Sequence, residues 1–436
     1  MRNTHMDRMI ALMDGRCGDL PACGRMLLRQ FAALALAALA VLCFALPASA
    51  EESAADLVED PGYYARFQGQ GITLSVYNWG EYIADGSDGE SIDVNGLFEE
   101  LTGIKVLYNT FATNEELYAK LKSGGAGYDI IVPSDYMVAR MIEEKMLSPL
   151  NRDNIPNIAH LDEQYVYTDF DPEGAYSVPY TWGTVGIIYN TQYVDPEEVT
   201  TWDILWDERY LGDILMFSNP RDASAIALKR LGYSMNTTDE GEIGEAFESL
   251  KEQKALVQAY VMDEIYDKME GEEAALAPYY AGDAVTMIEE NPDLAFSVPE
   301  EGTNRFIDSL CIPASSKQKE AAEAYINFLC EPEISLGNID YIGYSTPSLA
   351  ALELMDEETR SDPIRYPSQE LLDNTEAFIY LPASTNQLLD RLWTELLSDD
   401  QQFSRWTIPI FLVVAILFSV GLNLYRGHRK KRNDLY

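Results

Sequence analysis

Histidine is almost missing from this chain: three among 436 residues, one of them, His428, in the terminal tail. That leaves little for a histidine-based metal or catalytic site. Cysteine is nearly as scarce. Cys17, Cys23 and Cys43 lie near the start, Cys311 and Cys330 in the body, and none has metal-ligand spacing. Cys311 and Cys330 flank a predicted helix, where two buried free thiols are a commoner outcome than a disulfide. Basic residues are also few, 31 against 72 acidic, for a net charge of −41. Residues 1–50 hold five Lys/Arg and residues 406–436 another five, so the body between is more acidic still. Nucleic acid is excluded as a partner, because phosphate contacts need Lys and Arg. An acidic field instead gathers cations, although a generally acidic extracellular protein would show the same balance. Enzyme templates are absent: no G-x-S-x-G, no H-E-x-x-H, no Walker A and no dinucleotide glycine pattern. The glycines at 124, 125 and 127 follow a helix and precede a strand, the wrong side for phosphate, and read as a turn. Carboxylates are so abundant that a glycosidase-like pair carries little weight. The expectation is a protein that is not an enzyme and has no cofactor and no metal.

The two ends read as targeting segments. Arg25 and Arg29 flank the apolar run Phe31–Leu46, and Ala48-Ser49-Ala50 offers a cleavage site, so 1–50 is expected to be a signal peptide. Cys43 lacks the small preceding residue that lipid attachment wants. Residues 51–70 are an acidic linker. Residues 406–425 carry no charge until Arg426, Arg429, Lys430, Lys431 and Arg432. Twenty residues at about 1.5 Å each span roughly 30 Å of hydrocarbon, and the basic cluster puts the tail in the cytoplasm. The expectation is an exported, single-pass protein of the cell membrane, with its body outside and residues 426–436 as a basic tail.

The body alternates strands and helices. Strands are predicted over 72–76, 105–108 and 129–132, with helices over 93–101, 115–123 and 138–145. Such a βαβαβα run predicts an α/β fold with a mainly parallel, right-handed sheet. Residues 177–180 and 185–190 are extended, and could form one ribbon crossing between two halves. Further on come a strand at 214–217, helices at 223–231 and 242–253, strands at 284–289 and 294–298, and an extended stretch at 306–313. Helices at 319–330 and 386–397 close the pattern. The length alone predicts two domains.

Strand ends recur with an aromatic or an acid beyond them. The first is Tyr77-Asn78-Trp79-Gly80-Glu81-Tyr82. Others are Ser134-Asp135-Tyr136, Asn219 with Asp222, Tyr279-Tyr280, Phe306 with Asp308, and Tyr344. Ligands of open α/β sheets bind at carboxyl strand ends. An ammonium wants a carboxylate for a charge-assisted hydrogen bond, and its methylenes want aromatic walls that add cation–π attraction of about 0.5–2 kcal/mol each. Each cluster alone reads as core packing; their repetition at one topological position shifts the balance toward a cation site.

Several blocks in order then resemble one family: VYNWGEY (76–82), LTGIKV (101–106), YAKLKSG (118–124), YDIIVPSDYMV (128–138), SVPYTWGTVGI (177–187), LKRLGYSMNTTD (228–239), MEGE (269–272), FIDSLCIPA (306–314) and IGYSTPS (342–348). They resemble the extracytoplasmic spermidine/putrescine-binding proteins of polyamine ABC uptake systems, over about 72–397. The resemblance implies a two-lobed periplasmic-binding-protein fold of type II, closing on ligand like a hinged trap. Lobe 1 would hold 71–183 and 306–350, and lobe 2 would hold 184–305 and 351–403. It implies Trp79, Gly80, Tyr82, Ser134, Tyr136, Asn219, Asp222, Tyr280, Phe306, Asp308 and Tyr344 as ligand-lining positions. Asp308 and Asp222 would each bind an amine, and a further contact would fall near 378–380. Gly80 stands where a hydroxyl is common, Asn219 where some relatives have an acid, and Tyr280 and Phe306 where indoles occur. The implied partners are a polyamine, an ABC permease and its ATPase, and the membrane through the C-terminal helix. Two alternatives stay open: the same fold holding another ligand (a ferric ion through Tyr279 and Tyr280, another amine or a peptide), or a tethered sensor without transport.

Overall fold

The computed structural model describes residues 53–124 and 127–398. The described residues from Ala54 on belong to one compact unit. The expected signal peptide, membrane span and basic tail lie outside the described residues.

The alternation at 72–76 becomes strand β1 (Thr73–Trp79), which runs on through the aromatic cluster and buries Leu74 and Val76. Asp93 then caps helix α1 (Val94–Thr102) by accepting the Gly96 N–H at 2.8 Å. The helix buries Val94, Phe98 and Leu101 along one stripe. Strand β2 (Lys105–Phe111) follows, and Thr113 caps helix α2 (Asn114–Lys122). The short β3 (Ile130–Ile131) leads into helix α3 (Asp135–Glu143).

Strand β4 (Ser177–Asn190) is one continuous ribbon, buried at every position. Next come β5 (Ile214–Phe217), α4 (Pro220–Arg230), α5 (Glu240–Gln253), β6 (Val257–Val261), α6 (Ile265–Glu270), β7 (Leu276–Tyr280) and α7 (Ala281–Glu290). The described chain ends through β8 (Leu294–Ser297), β9 (Thr303–Cys311), α8 (Lys319–Leu329), α9 (Pro332–Ile342), β10 (Thr375–Glu376) and α10 (Ala383–Ser398).

The strands join in the order β2-β1-β3-β9-β4-β7-β5-β6, with β10 on β9 and β8 on β4. At one end β1 pairs in parallel with β2 and β3; at the other, β5 pairs in parallel with β6 and β7. The middle is antiparallel, where β9 pairs with β3 and β4, and β4 with β7 and β8. The sheet is therefore mixed rather than mainly parallel. Strand β4 changes partners in mid-course: residues 177–184 pair with β9, and residues 185–190 with β7 and β8. The core behind it includes Trp202, fully buried, whose Nε1 donates to the Gly302 carbonyl at 3.0 Å. Fully burying an apolar side chain of the Leu or Phe class contributes roughly 1.5–3 kcal/mol. Cys311 and Cys330 are both buried and unpaired.

Two expectations are corrected here. Residues 284–289, read as a strand, belong to helix α7. The run Ala-Val-Thr-Met-Ile is too short for periodicity to separate the two, and the helix buries Ala281, Ala284, Val285 and Met287. The C-terminal transmembrane helix is the second. Among the described residues no helix is long and apolar enough to cross a membrane. The last described helix, α10, is amphipathic: it buries Leu389, Trp393 and Leu396 while Asp390, Arg391 and Glu395 stay on its outer side. Trp393 packs edge-on against Tyr260 at 5.6 Å.

Candidate functional site

The cavity of about 710 Å³, counting space open to solvent, lies where the ends of β1, β3, β5 and β7 come together over β9. Trp79, Gly80, Tyr82, Ser134, Tyr136, Asn219, Asp222, Tyr280, Phe306, Asp308 and Tyr344 all line it. So do Tyr279, named above beside Tyr280, Phe378, within the stretch expected to give a further contact, and Glu115, Asp263, Tyr266 and Asp283, which carry no site role in the sequence reading. Five carboxyl groups thus face the cavity, and no Lys, Arg or His does.

Each wall is fixed by its own local structure. The Trp79 indole donates to the Val132 carbonyl at 2.8 Å and tilts on Phe111 at 4.6 Å. Glu81, at φ 45°, turns the chain outward and is exposed, so it stays off the wall. Tyr82 then returns inward. Its hydroxyl donates to Asp308 Oδ2 at 2.7 Å and accepts the Thr181 hydroxyl at 2.5 Å. Its ring meets Tyr344 edge-on at 4.7 Å. Ser134 starts α3, and its hydroxyl and N–H both bond the Asn114 amide. Tyr136 donates to Glu115 at 3.0 Å.

From the other end of the sheet, Asn219 caps α4. Its Oδ1 accepts the Asp222 N–H at 2.8 Å, and its amide donates to Asp222 Oδ2 at 2.8 Å. Tyr280 donates to the same oxygen at 2.9 Å, and its ring meets Phe306 at 5.4 Å. Tyr266 donates to Asp283 at 2.8 Å. Behind this wall the buried Arg221 stacks on Phe378 at 4.4 Å and donates to Asn236 at 2.8 Å. Gly282 is required by a close approach: a Cβ there would lie 2.1 Å from the Tyr344 ring.

The electrostatics are those of buried acid without enough cation. Burial pushes Asp308 up to about 6, with the Ser134 and Tyr82 hydroxyls pulling the other way. Burial likewise lifts Asp283 to about 7, against Tyr266 and Tyr344. Asp222 is raised by burial, opposed by Asn219 and Tyr280. Asp308 Oδ1 is buried and has no hydrogen-bond partner. An unsatisfied buried acceptor costs about 1–3 kcal/mol, more when charged, so this atom asks for a donor.

Comparison with known proteins fits this geometry. The model of the family described as bacterial extracellular solute-binding protein matches residues 97–367. The chain belongs to this family. It is 39% identical over 306 residues to the spermidine/putrescine-binding periplasmic protein of Escherichia coli, covering 70% of this chain and 86% of that one. It is 31% identical to the putrescine-binding periplasmic protein SpuD of Pseudomonas aeruginosa, over 74% of this chain and 92% of that one. The spermidine/putrescine substrate-binding protein PotD of Streptococcus pneumoniae superposes with a TM-score of 0.64 at 36% identity, over 75% of this chain and 98% of that one. The α/β periplasmic-binding-protein fold expected above therefore holds. The expected location, a single-pass protein of the cell membrane, does not: the relatives are named periplasmic, and the described residues include no helix able to span a membrane.

Three lining acids escape the sequence reading, each for its own reason. Asp283 sits at the start of α7, where the sequence predicts a strand over 284–289. Asp263 follows β6, a half-buried strand whose alternation is weak. Glu115 opens a predicted helix and carries no site role in the sequence reading. A rule that searched every strand end for acids would have found Asp263 once β6 was recognised.

Proposed function

We propose that this protein binds a polyamine, spermidine or putrescine, in the cavity and delivers it to an ABC importer. The observation that carries the reading is Asp308: buried, with one oxygen held by Tyr82 and the other unpartnered, inside an aromatic box. An ammonium supplies both the charge and the donor that this oxygen lacks. Trp79, Tyr136, Tyr280, Phe306 and Tyr344 would flank the methylenes, and Asp222 would take a second amine. Asn219 acts by orienting Asp222 rather than by meeting ligand itself. In this reading residues 71–183 with 306–350 form one lobe and 184–305 with 351–403 the other, hinged along β4 and β9.

The relatives' names support polyamine as the ligand class. A ferric ion is disfavoured, because it needs phenolates. Burial, with Asp283 or Asp222 adding to it, holds the Tyr279 and Tyr280 hydroxyls well above their usual pKa. Titration calorimetry of the purified protein with putrescine, spermidine and ferric citrate tests the proposal. Heat with either polyamine is expected; silence with both at millimolar ligand would overturn it.

A further inference from the structure

Asp263 stands apart from the other acids of the cavity. Asp222, Asp283 and Asp308 each accept a tyrosine hydroxyl, and Glu115 accepts that of Tyr136. Among the described residues the Asp263 carboxylate accepts no hydrogen bond and has no Lys or Arg within ion-pair distance. It comes from the loop after β6, at one end of the strand order, yet lies against Gly80 from β1, near the other end. A Cβ on Gly80 would fall 2.4 Å from Asp263 Oδ2. Any side chain at position 80 would therefore fill the space this carboxylate occupies. The missing side chain at 80 and the acid at 263 form one feature: the wall near Trp79 carries a carboxylate in place of an ordinary residue.

A second observation points to a ligand at this wall. The cavity that Asp263 borders contains the buried, unpartnered Oδ1 of Asp308. The charged groups that act on Asp263 are acids too. Burial, then Glu264 and Glu81, raise its pKa, so no cation of the protein balances it.

Resting on the polyamine reading above, we infer that Asp263 is a third amine-binding carboxylate, admitted by Gly80, that favours a triamine over a diamine. Asp222 and Asp308 answer two ammonium groups, which is all that putrescine has. A triamine has one more, and Asp263 at the mouth is the acid left without a partner to receive it. Because Asp263 is exposed on its outer side, the attraction is that of a half-solvated ion pair, worth roughly fivefold in affinity and screened by salt.

The test is calorimetric titration of wild type, Asp263→Asn and Gly80→Ser with spermidine and with putrescine. Asp263→Asn is expected to lower the spermidine-over-putrescine affinity ratio about fivefold at low salt. Gly80→Ser, which displaces the carboxylate, should lower it in the same direction. If wild type binds both amines and neither variant changes the ratio, Asp263 is not an amine site and this inference fails, while the polyamine reading stands. If wild type binds neither amine, the polyamine reading itself fails and takes this inference with it.

Discussion

Asp308→Asn separates binding from folding more cleanly than other changes at this site, because the two effects carry opposite signs. The substitution keeps the shape and removes the charge. With polyamine bound, the loss is one charge-assisted hydrogen bond, about 1.5–3 kcal/mol. That corresponds to Kd rising roughly 10- to 150-fold. Without ligand, the same carboxylate is a burden. Keeping it ionised above pH 7, in a site that lifts its pKa from 3.8 to about 6, costs on the order of 3 kcal/mol. The asparagine does not carry that cost, although Tyr82 exchanges a charged acceptor for a neutral one. The unliganded variant should therefore melt at the same temperature as wild type or a few degrees above it at pH 8. Calorimetric titration gives the affinity and a thermal melt without ligand gives the stability. An unchanged Kd would remove Asp308 from the ligand, and a melt lowered by several degrees would show that its role is to hold Tyr82 and Thr181 in the core.

Two further outcomes follow from the same geometry. Burial raises Asp308 to about 6, Asp283 to about 7 and Asp135 to about 8. Their contribution to the stability of the empty fold is fully present below about pH 3.8 and is lost as pH rises through 6 to 8. An ammonium needs the ionised form of Asp308, so affinity should climb as pH rises through about 6, between roughly pH 5 and 7, with protons released on binding at pH 6. Calorimetry in two buffers of different ionisation heat reads both effects, and a flat affinity across that range contradicts the assignment. Gly282→Ala forces the Tyr344 ring away from a Cβ at 2.1 Å. Overpacking of this kind costs about 1–3 kcal/mol; a lower melting temperature and weaker polyamine binding are expected together, and an unaffected melt would show that the ring yields freely.

Much of this site could be read before any coordinate, and the reasons are specific. Trp79 and Tyr82 follow a strand whose alternation is regular, so the strand end was placed and its aromatics with it. Asn219 and Asp222 are placed just past a strand end, although the helix begins at Pro220 rather than at the expected 223, with a capping amide, a proline at the first position and an acid in the first turn. The ribbon at 177–190 is legible because its halves are both extended and only the four residues Thr181-Trp182-Gly183-Thr184 lie between them. Failures came where one signal supported two answers. The stretch 284–289 has the apolar content of a buried strand and of a buried helix. The stretch 406–425 meets the length and polarity requirements of a span but lies outside the described residues, and among those no helix is long and apolar enough to cross a membrane. Gly80 was noticed as a departure, but its meaning depends on a residue nearly two hundred positions away, and no local pattern connects the two.

The two buried thiols have a consequence for how this protein comes to exist. Cys330 has its pKa pushed up to about 12 by burial and by Glu331, and Cys311 is raised by burial and by Asp171. A thiol so far from its thiolate reacts slowly with oxidants and disulfides. The described fold contains no bridge that must be made before it is complete, so its assembly is independent of the redox poise of its surroundings. Refolding from denaturant should proceed at the same rate and yield with or without reductant.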